Sequence, residues 1–311
     1  MTTYIVRRLF QAVVVLFLVS IIVFMVIRVK GDPVLMLVPE YYTEEQIQEV
    51  REAYGFDKPI HIQYWNFIRR AIRGDFGRSF RNRQPAWDLI KKAFPNTLEL
   101  AAVAIVVAVT LALPLGIISA IRRNSFLDLV VTSVSTVGRS MPRFWLGIML
   151  MMVFAVGLRW LPVSGTGAVS GQPRWKHLVL PAATLSTGLL TTLTRLVRSS
   201  MLEVLREEYV TTARAKGLRE WIVLFRHALP NALIPVVTVL GLNVAWLMGG
   251  AVIIEEVFAW PGMGRVMVQA IYARDNSVVQ AGLLVTSVLI IGSNLVVDIL
   301  YAFLDPRIRY S

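Results

Sequence analysis

Long apolar runs along this chain alternate with shorter polar ones. The runs fall at about 9–28, 97–121, within 127–158, within 178–200, within 232–256 and within 281–304. About 20 apolar residues in a helix cross a bilayer, so the pattern predicts an all-α polytopic membrane protein with six transmembrane helices. The third run holds some 32 residues, too many for one straight span at 1.5 Å per residue. It is interrupted by GRSMPRF (138–144), where Pro142 predicts a kink or a helix junction. The first run follows a basic start and is too long for a signal peptide, which predicts a retained span.

Two polar segments carry patterns of their own. In 29–96, Thr43 and Gln46 have the spacing of a capping box, with Ile47, Val50 and Tyr54 at helical intervals and Gly55 as a stop. After Pro59, the residues His61, Tyr64, Trp65, Ile68 and Ile72 form one stripe. This amphipathic helix suits either a membrane interface or a small packed subdomain. The second segment, 201–231, contains LREEYVTTARAKG (205–217) and LREWIVLFRHAL (218–229). Acids early and bases late suit a helix dipole, Gly217 suits a helix stop, and Pro230 should end the second stretch. A polar helix, a glycine bend and an amphipathic helix make a hairpin, read either as a solvated loop that only helps topology or as a docking element for a cytoplasmic partner.

Composition supports the membrane reading. Of 311 residues, 56% are hydrophobic and 17% charged, with mean hydropathy +0.61. The formal net charge of +12 is read as cations flanking spans and facing anionic lipid, with no nucleic-acid partner. With the N-terminus inside, the inner segments hold thirteen Lys and Arg against five in the two short outer loops. Segment 29–96 is also cation-rich, but loops of that length largely escape the positive-inside rule. The expected topology is therefore N-in and C-in. The chain has no cysteine, which removes disulfides and thiolate metal sites.

The sequence lacks the chemistry of an engine. It contains no G-x-x-x-x-G-K-[ST], no H-E-x-x-H and no G-x-S-x-G, and its three histidines are scattered. No catalytic or metal site is expected. The few acids near spans, Glu99, Asp128, Glu255, Glu256 and Asp298, are sparse for an ion-coupled carrier.

Residues 211–230 resemble the EAA loop of ABC-importer permeases, E-A-A-x-x-x-G-x9-I-x-L-P. Thr211, Thr212 and Ala213 take the E-A-A positions, Gly217 the glycine, and His227 to Pro230 the end of the motif. The departures at Thr211, Thr212 and His227 fit the peptide-importer branch, since ARAKGL and RHALPNALIPV are similar to the B-type subunit of dipeptide and oligopeptide permeases. KGDP (30–33), GDFGRSF (74–80), MPRFWLG, LPVSG, MGGAVIIEEVFAWPGMG (248–264) and NLVVDILYAFLDPRIRY (294–310) also resemble that family.

The resemblance implies a type I ABC-importer fold, one permease domain over 1–311, in a bacterial or archaeal inner membrane. It implies an extracytoplasmic loop at 29–96 and a cytoplasmic coupling loop at 201–231. The implied partners are a second permease, two cytoplasmic ATPases that use ATP and Mg, and an extracytoplasmic binding protein. Di- or oligopeptides would be the cargo. Nickel chelates, glutathione or oligosaccharides are the alternatives on the same fold, and a stand-alone secondary carrier is a third reading. By position, ATPase coupling falls to Thr211, Thr212, Ala213, Arg214, Ala215, Lys216, Gly217, Leu218, Leu229 and Pro230. Ala213 and Ala215 would permit close approach, while Arg214 and Lys216 would meet acids on the ATPase or lipid headgroups. Pathway candidates are Glu255 and Glu256 at one end of the fifth span, and Arg139 and Arg143 beside Pro142. The alternative reading makes Glu255 and Glu256 a salt bridge or a solvated helix end, and has the two arginines snorkel to the cytoplasmic interface. Asn294 and Asp298 read as helix-packing or subunit-contact groups.

Overall fold

The computed structural model describes residues 2–29, 34, 42–53, 55–167 and 171–304. KGDP (30–33), Tyr54 and the last residues of the C-terminal signature lie outside them. The described chain is helical: α1 (Thr2–Val29), α2 (Glu44–Ala53), α3 (Ile60–Ile72), α4 (Ala86–Ile121), α5 (Phe126–Ser140), α6 (Arg143–Leu150), α7 (Arg174–Val204), α8 (Glu208–Ala215), α9 (Glu220–Ile222), α10 (Leu229–Val257), α11 (Met263–Tyr272) and α12 (Asn276–Leu304). Two π-helical segments, Met151–Gly157 and Val223–Ala228, continue α6 and α9.

Among the described residues, four stretches are long and apolar enough to cross a membrane: Ile5–Met25, Ala86–Ile121, Glu220–Asn243 and Asn276–Ile299. The pair Phe126–Ser140 and Arg143–Gly157 makes a fifth if counted as one span, bent by 111° at Met141 and Pro142. The expected break at Pro142 is therefore present as a sharp junction. The expected count of six is not reached on apolarity. Helix α7, read from sequence as the fourth span, is long enough at 31 residues. However, it carries Lys176, Arg195 and Arg198 and is rich in Ser and Thr.

The chain forms two compact units, residues 1–97 with 261–311, and 98–260. In the first, α1 packs on α12, and Arg8 pairs with Asp298 at 3.1 Å. This gives Asp298 the helix-packing role. The capping box is realised at α2: Thr43 N–H donates to Gln46 Oε1 at 3.0 Å and Gln46 N–H to Thr43 Oγ1 at 3.4 Å. Helix α3 rests on α1 through Tyr64, whose ring meets Phe17 and Phe24 edge-on and whose hydroxyl bonds Ser20 at 2.7 Å. The expected stripe is split, because Phe67 also contacts Phe24 whereas Trp65 and Ile72 are exposed. A second core joins Ile90 and Ala93 of α4 to Met263 and Met267 of α11 and Ala281 of α12. The N-terminus of α11 is satisfied by Thr97, whose Oγ1 accepts from Met263 N–H at 2.8 Å.

The second unit is organised around α7, which packs on α5, α6 and α10. Its neighbours approach closely through small residues, as in membrane bundles. Ala104, Ala108 and Ala112 line one buried face of α4. A Cβ on Gly116 would lie 2.6 Å from Val197 Cβ and 2.8 Å from the Thr194 carbonyl. The hydroxyls of Thr184, Thr187, Thr192 and Thr194 donate to carbonyls four residues back in α7, which satisfies them without water. Asp128 at the start of α5 accepts two bonds from Arg198 of α7, at 2.7 Å each, one from Asn124 N–H at 3.0 Å and one from Ser119 Oγ. Asp128 is buried, so this pair fixes α5 on α7.

Candidate functional site

The hairpin between α7 and α10 has a core of its own. Val210, Ala213 and Val223 are buried against Val204 and Leu205. Ala213 thus faces inward, and its small size serves the hairpin's own packing. Ala215, Thr211 and Thr212 are exposed, with Thr212 Oγ1 donating to the Glu208 carbonyl at 2.9 Å.

Helix α8 ends where the sequence places a stop. Gly217 takes φ +76° and its N–H donates to the Arg214 carbonyl at 2.9 Å. A left-handed backbone of this kind is unstrained only for glycine. No other atom lies within 4 Å of the position a Gly217 Cβ would take, so a larger residue would meet backbone strain alone. Pro230, by contrast, does not end the second arm. From Glu220 the chain stays helical through the π segment into α10, with Pro230 in the first turn of α10. Proline is tolerated there because its missing N–H would lack an intrahelical partner in any case. Leu229 is half-buried and joins the main core of the second unit. The second arm is therefore mechanically continuous with a membrane helix.

Arg214 bonds within the hairpin. Its Nη2 donates to Glu220 Oε1 at 2.7 Å and its Nε to Oε2 at 3.2 Å, which raises the guanidinium pKa above its ordinary value. Within this chain, then, the acid that Arg214 meets is Glu220 of its own hairpin. Lys216 is exposed and has no ion-pair partner among the described residues. Asn231 Nδ2 donates to Tyr209 Oη at 2.9 Å and to the His227 carbonyl at 3.1 Å, tying α8 to the foot of α10.

The outer surface of the hairpin is apolar as well as cationic. Leu218, Trp221 and Phe225 are exposed, Trp221 at 61% and Phe225 at 55%. Sequence reasoning fixed on the EAA positions and passed over Trp221, Phe225 and Glu220. The signal was present, since 218, 221 and 225 recur at the three- and four-residue spacing of one helix face.

The pathway candidates occupy three different settings. Glu255 is fully buried near the C-terminus of α10 and Glu256 is exposed. Arg139 is exposed at the end of α5. Arg143, half-buried, lines a cavity of about 180 Å³ together with Gly138, Arg139, Thr187, Thr192 and Asn243.

The described chain is helical with several apolar helices long enough to cross a membrane, and family models place it further. Residues 112–310 match the binding-protein-dependent transport system inner membrane component, and residues 1–101 match the N-terminal part of such membrane components. The chain belongs to this family. It is a non-catalytic, multi-pass permease subunit of an ABC importer of the bacterial inner membrane, and it works with a cytoplasmic ATPase. The oligopeptide transport system permease protein AppB of Bacillus subtilis is 38% identical over the full length of both chains. The glutathione transport system permease protein GsiC of Escherichia coli is 40% identical, again over the full length of both. Among solved structures, the inward-facing MetNI methionine ABC transporter aligns at TM-score 0.57 and 20% identity, covering 70% of this chain and 96% of that one. That likeness gives the fold, that of type I ABC-importer permeases.

Proposed function

We propose that this chain forms half of the translocation pathway for short peptides of the glutathione kind, with longer oligopeptides as the competing cargo. Glutathione is itself a tripeptide, and full-length relatives of both kinds stand at 40% and 38% identity. The glutathione reading, an alternative on sequence grounds, takes the lead on the higher figure. A second permease completes the pathway, two cytoplasmic ATPases drive it, and an extracytoplasmic binding protein delivers the cargo. Six spans with both termini inside complete the topology, α7 serving as a span whose polar residues are shielded by α5, α6 and α10. Segment 29–96 lies outside and 201–231 inside.

The hairpin receives the ATPase. The carrying observation is its construction: a buried core, an exposed Leu218, Trp221 and Phe225 face, and a second arm continuous with α10. Packed interfaces of this kind switch between discrete arrangements. ATP shifts the equilibrium only because it binds the closed ATPase pair more tightly than the open one. Thr211, Thr212, Ala215, Lys216, Gly217 and Leu218 form the contact turn, while Ala213, Arg214, Leu229 and Pro230 hold its shape. The test is uptake of labelled glutathione and of a labelled pentapeptide into proteoliposomes holding the complete transporter. The reading expects ATP-dependent uptake of the tripeptide in preference to the pentapeptide. The reverse preference would favour the oligopeptide reading, and uptake by this chain without any ATPase would overturn the coupling.

A further inference from the structure

Arg143 sits just past the 111° break between α5 and α6. It has no ion-pair or hydrogen-bond partner among the described residues. Its guanidinium instead fills space that two glycines leave open. A Cβ on Gly188 of α7 would lie 2.9 Å from Arg143 Nη2, and one on Gly250 of α10 would lie 2.3 Å from Nη1. The cavity beside it is lined by a second cation, Arg139, and by no acid. Its neutral polar residues have most of their donors engaged. Thr187 and Thr192 donate their hydroxyl hydrogens to Ala183 and Gly188 carbonyls at 2.9 Å, and Asn243 Nδ2 gives one of its two hydrogens to the Val239 carbonyl at 2.8 Å. What the cavity offers a ligand is a guanidinium fork together with hydroxyl and amide oxygens and the second Asn243 N–H.

A cation in a membrane segment is costly unless it serves a pathway or a partner. A planar fork of donors matches a carboxylate in two parallel bonds. The oxygens of Thr187, Thr192 and Asn243 are acceptors for the N–H groups that flank a peptide's terminus. We propose that Arg143, held between Gly188 and Gly250, binds the terminal carboxylate of the peptide cargo within the membrane. The ligand's identity rests on the peptide-importer reading above, whereas the carboxylate site itself rests on the cavity.

The chain has no native cysteine, so Met141→Cys, at a lining position with no polar role in the site, supplies a single thiol in this cavity. The experiment measures maleimide labelling of that thiol in the complete transporter in nanodiscs, read on this subunit by mass. The probes are triglycine and triglycinamide, which differ in the carboxylate alone. A charge-assisted pair predicts that the acid protects at concentrations roughly tenfold to a hundredfold lower than the amide. Arg143→Gln should abolish that difference, and Arg143→Lys should retain part of it. Equal protection by acid and amide, or protection by neither, overturns the site. Labelling that responds to phosphatidylglycerol in the nanodisc and not to the peptides assigns the cavity to a lipid headgroup and overturns it too. If Arg143→Gln fails to assemble, Gly250→Ala takes its place, since the added methyl displaces the guanidinium without removing its charge. Discrimination at the wild-type level in that variant overturns the assignment. Uptake of labelled triglycine by the same complex separates the two readings. Uptake without protection breaks the site alone, whereas acid-selective protection without uptake of any peptide breaks the cargo reading and leaves a carboxylate site.

Discussion

Arg214 of the hairpin and Arg143 at the helix break are both arginines that sequence singled out, and the fold treats them oppositely. Arg214 is paired to Glu220 on an exposed surface, whereas Arg143 lies in a glycine cradle beside a polar cavity with no acid near it. A third arginine, Arg198, supplies the reference. It is paired to the buried Asp128 and joins two helices. Charge alone therefore does not mark a functional cation. An arginine answered by its own chain holds shape, while one left unanswered in a cavity is available to a ligand.

The largest expected effect falls on the reference pair. Asp128→Asn leaves Arg198 without its counter-charge in a buried site, and breaking such a pair costs about 3–5 kcal/mol. The thermal unfolding midpoint of the detergent-purified complex should fall sharply, and an unchanged midpoint would remove Arg198 as a structural standard. Next comes the hairpin's apolar face. Trp221→Ala with Phe225→Ala should weaken binding of the purified ATPase by roughly thirtyfold, the loss of about 2 kcal/mol expected for interface anchors. The unfolding midpoint should stay in place, because both rings are exposed. Intermediate in size, Gly116→Ala forces a methyl against Val197 and the Thr194 carbonyl, and overpacking of this kind costs about 1–3 kcal/mol. The smallest effect belongs to Glu220→Gln. The Arg214 pair is 41% and 56% exposed at its two ends, and such pairs contribute about 0.2–1 kcal/mol. A shift larger than this would mean that the hairpin leans on its ion pair more than on Val210, Ala213 and Val223.

Much of this was legible along the chain because it is local. Pro142, Gly217 and the Thr43–Gln46 box act within a few residues of themselves, and each appears where spacing put it. Pro230 misled because a proline reads the same whether it closes one helix or opens the next, and the π segment before it left no break. Helix α7 drops out of the apolar count because it is rich in Ser and Thr, whose hydroxyls bond carbonyls of their own helix. The pairings Asp128–Arg198 and Arg8–Asp298 and the glycine cradle of Arg143 join residues 45 or more positions apart. No periodicity carries that information, so the unanswered arginine emerged only from the fold.

On the function proposed above, the hairpin transmits the ATPase's motion to the membrane helices. Gly217→Trp tests it most directly, because φ +76° opposes any larger residue while the space around it is open. The backbone penalty is about 1–2 kcal/mol, enough to distort the turn without unfolding the bundle. The measurement is ATP hydrolysis and peptide uptake side by side in proteoliposomes of the complete transporter. The variant should insert and hydrolyse ATP while uptake per ATP falls at least tenfold. Uptake per ATP equal to the unsubstituted transporter would contradict it.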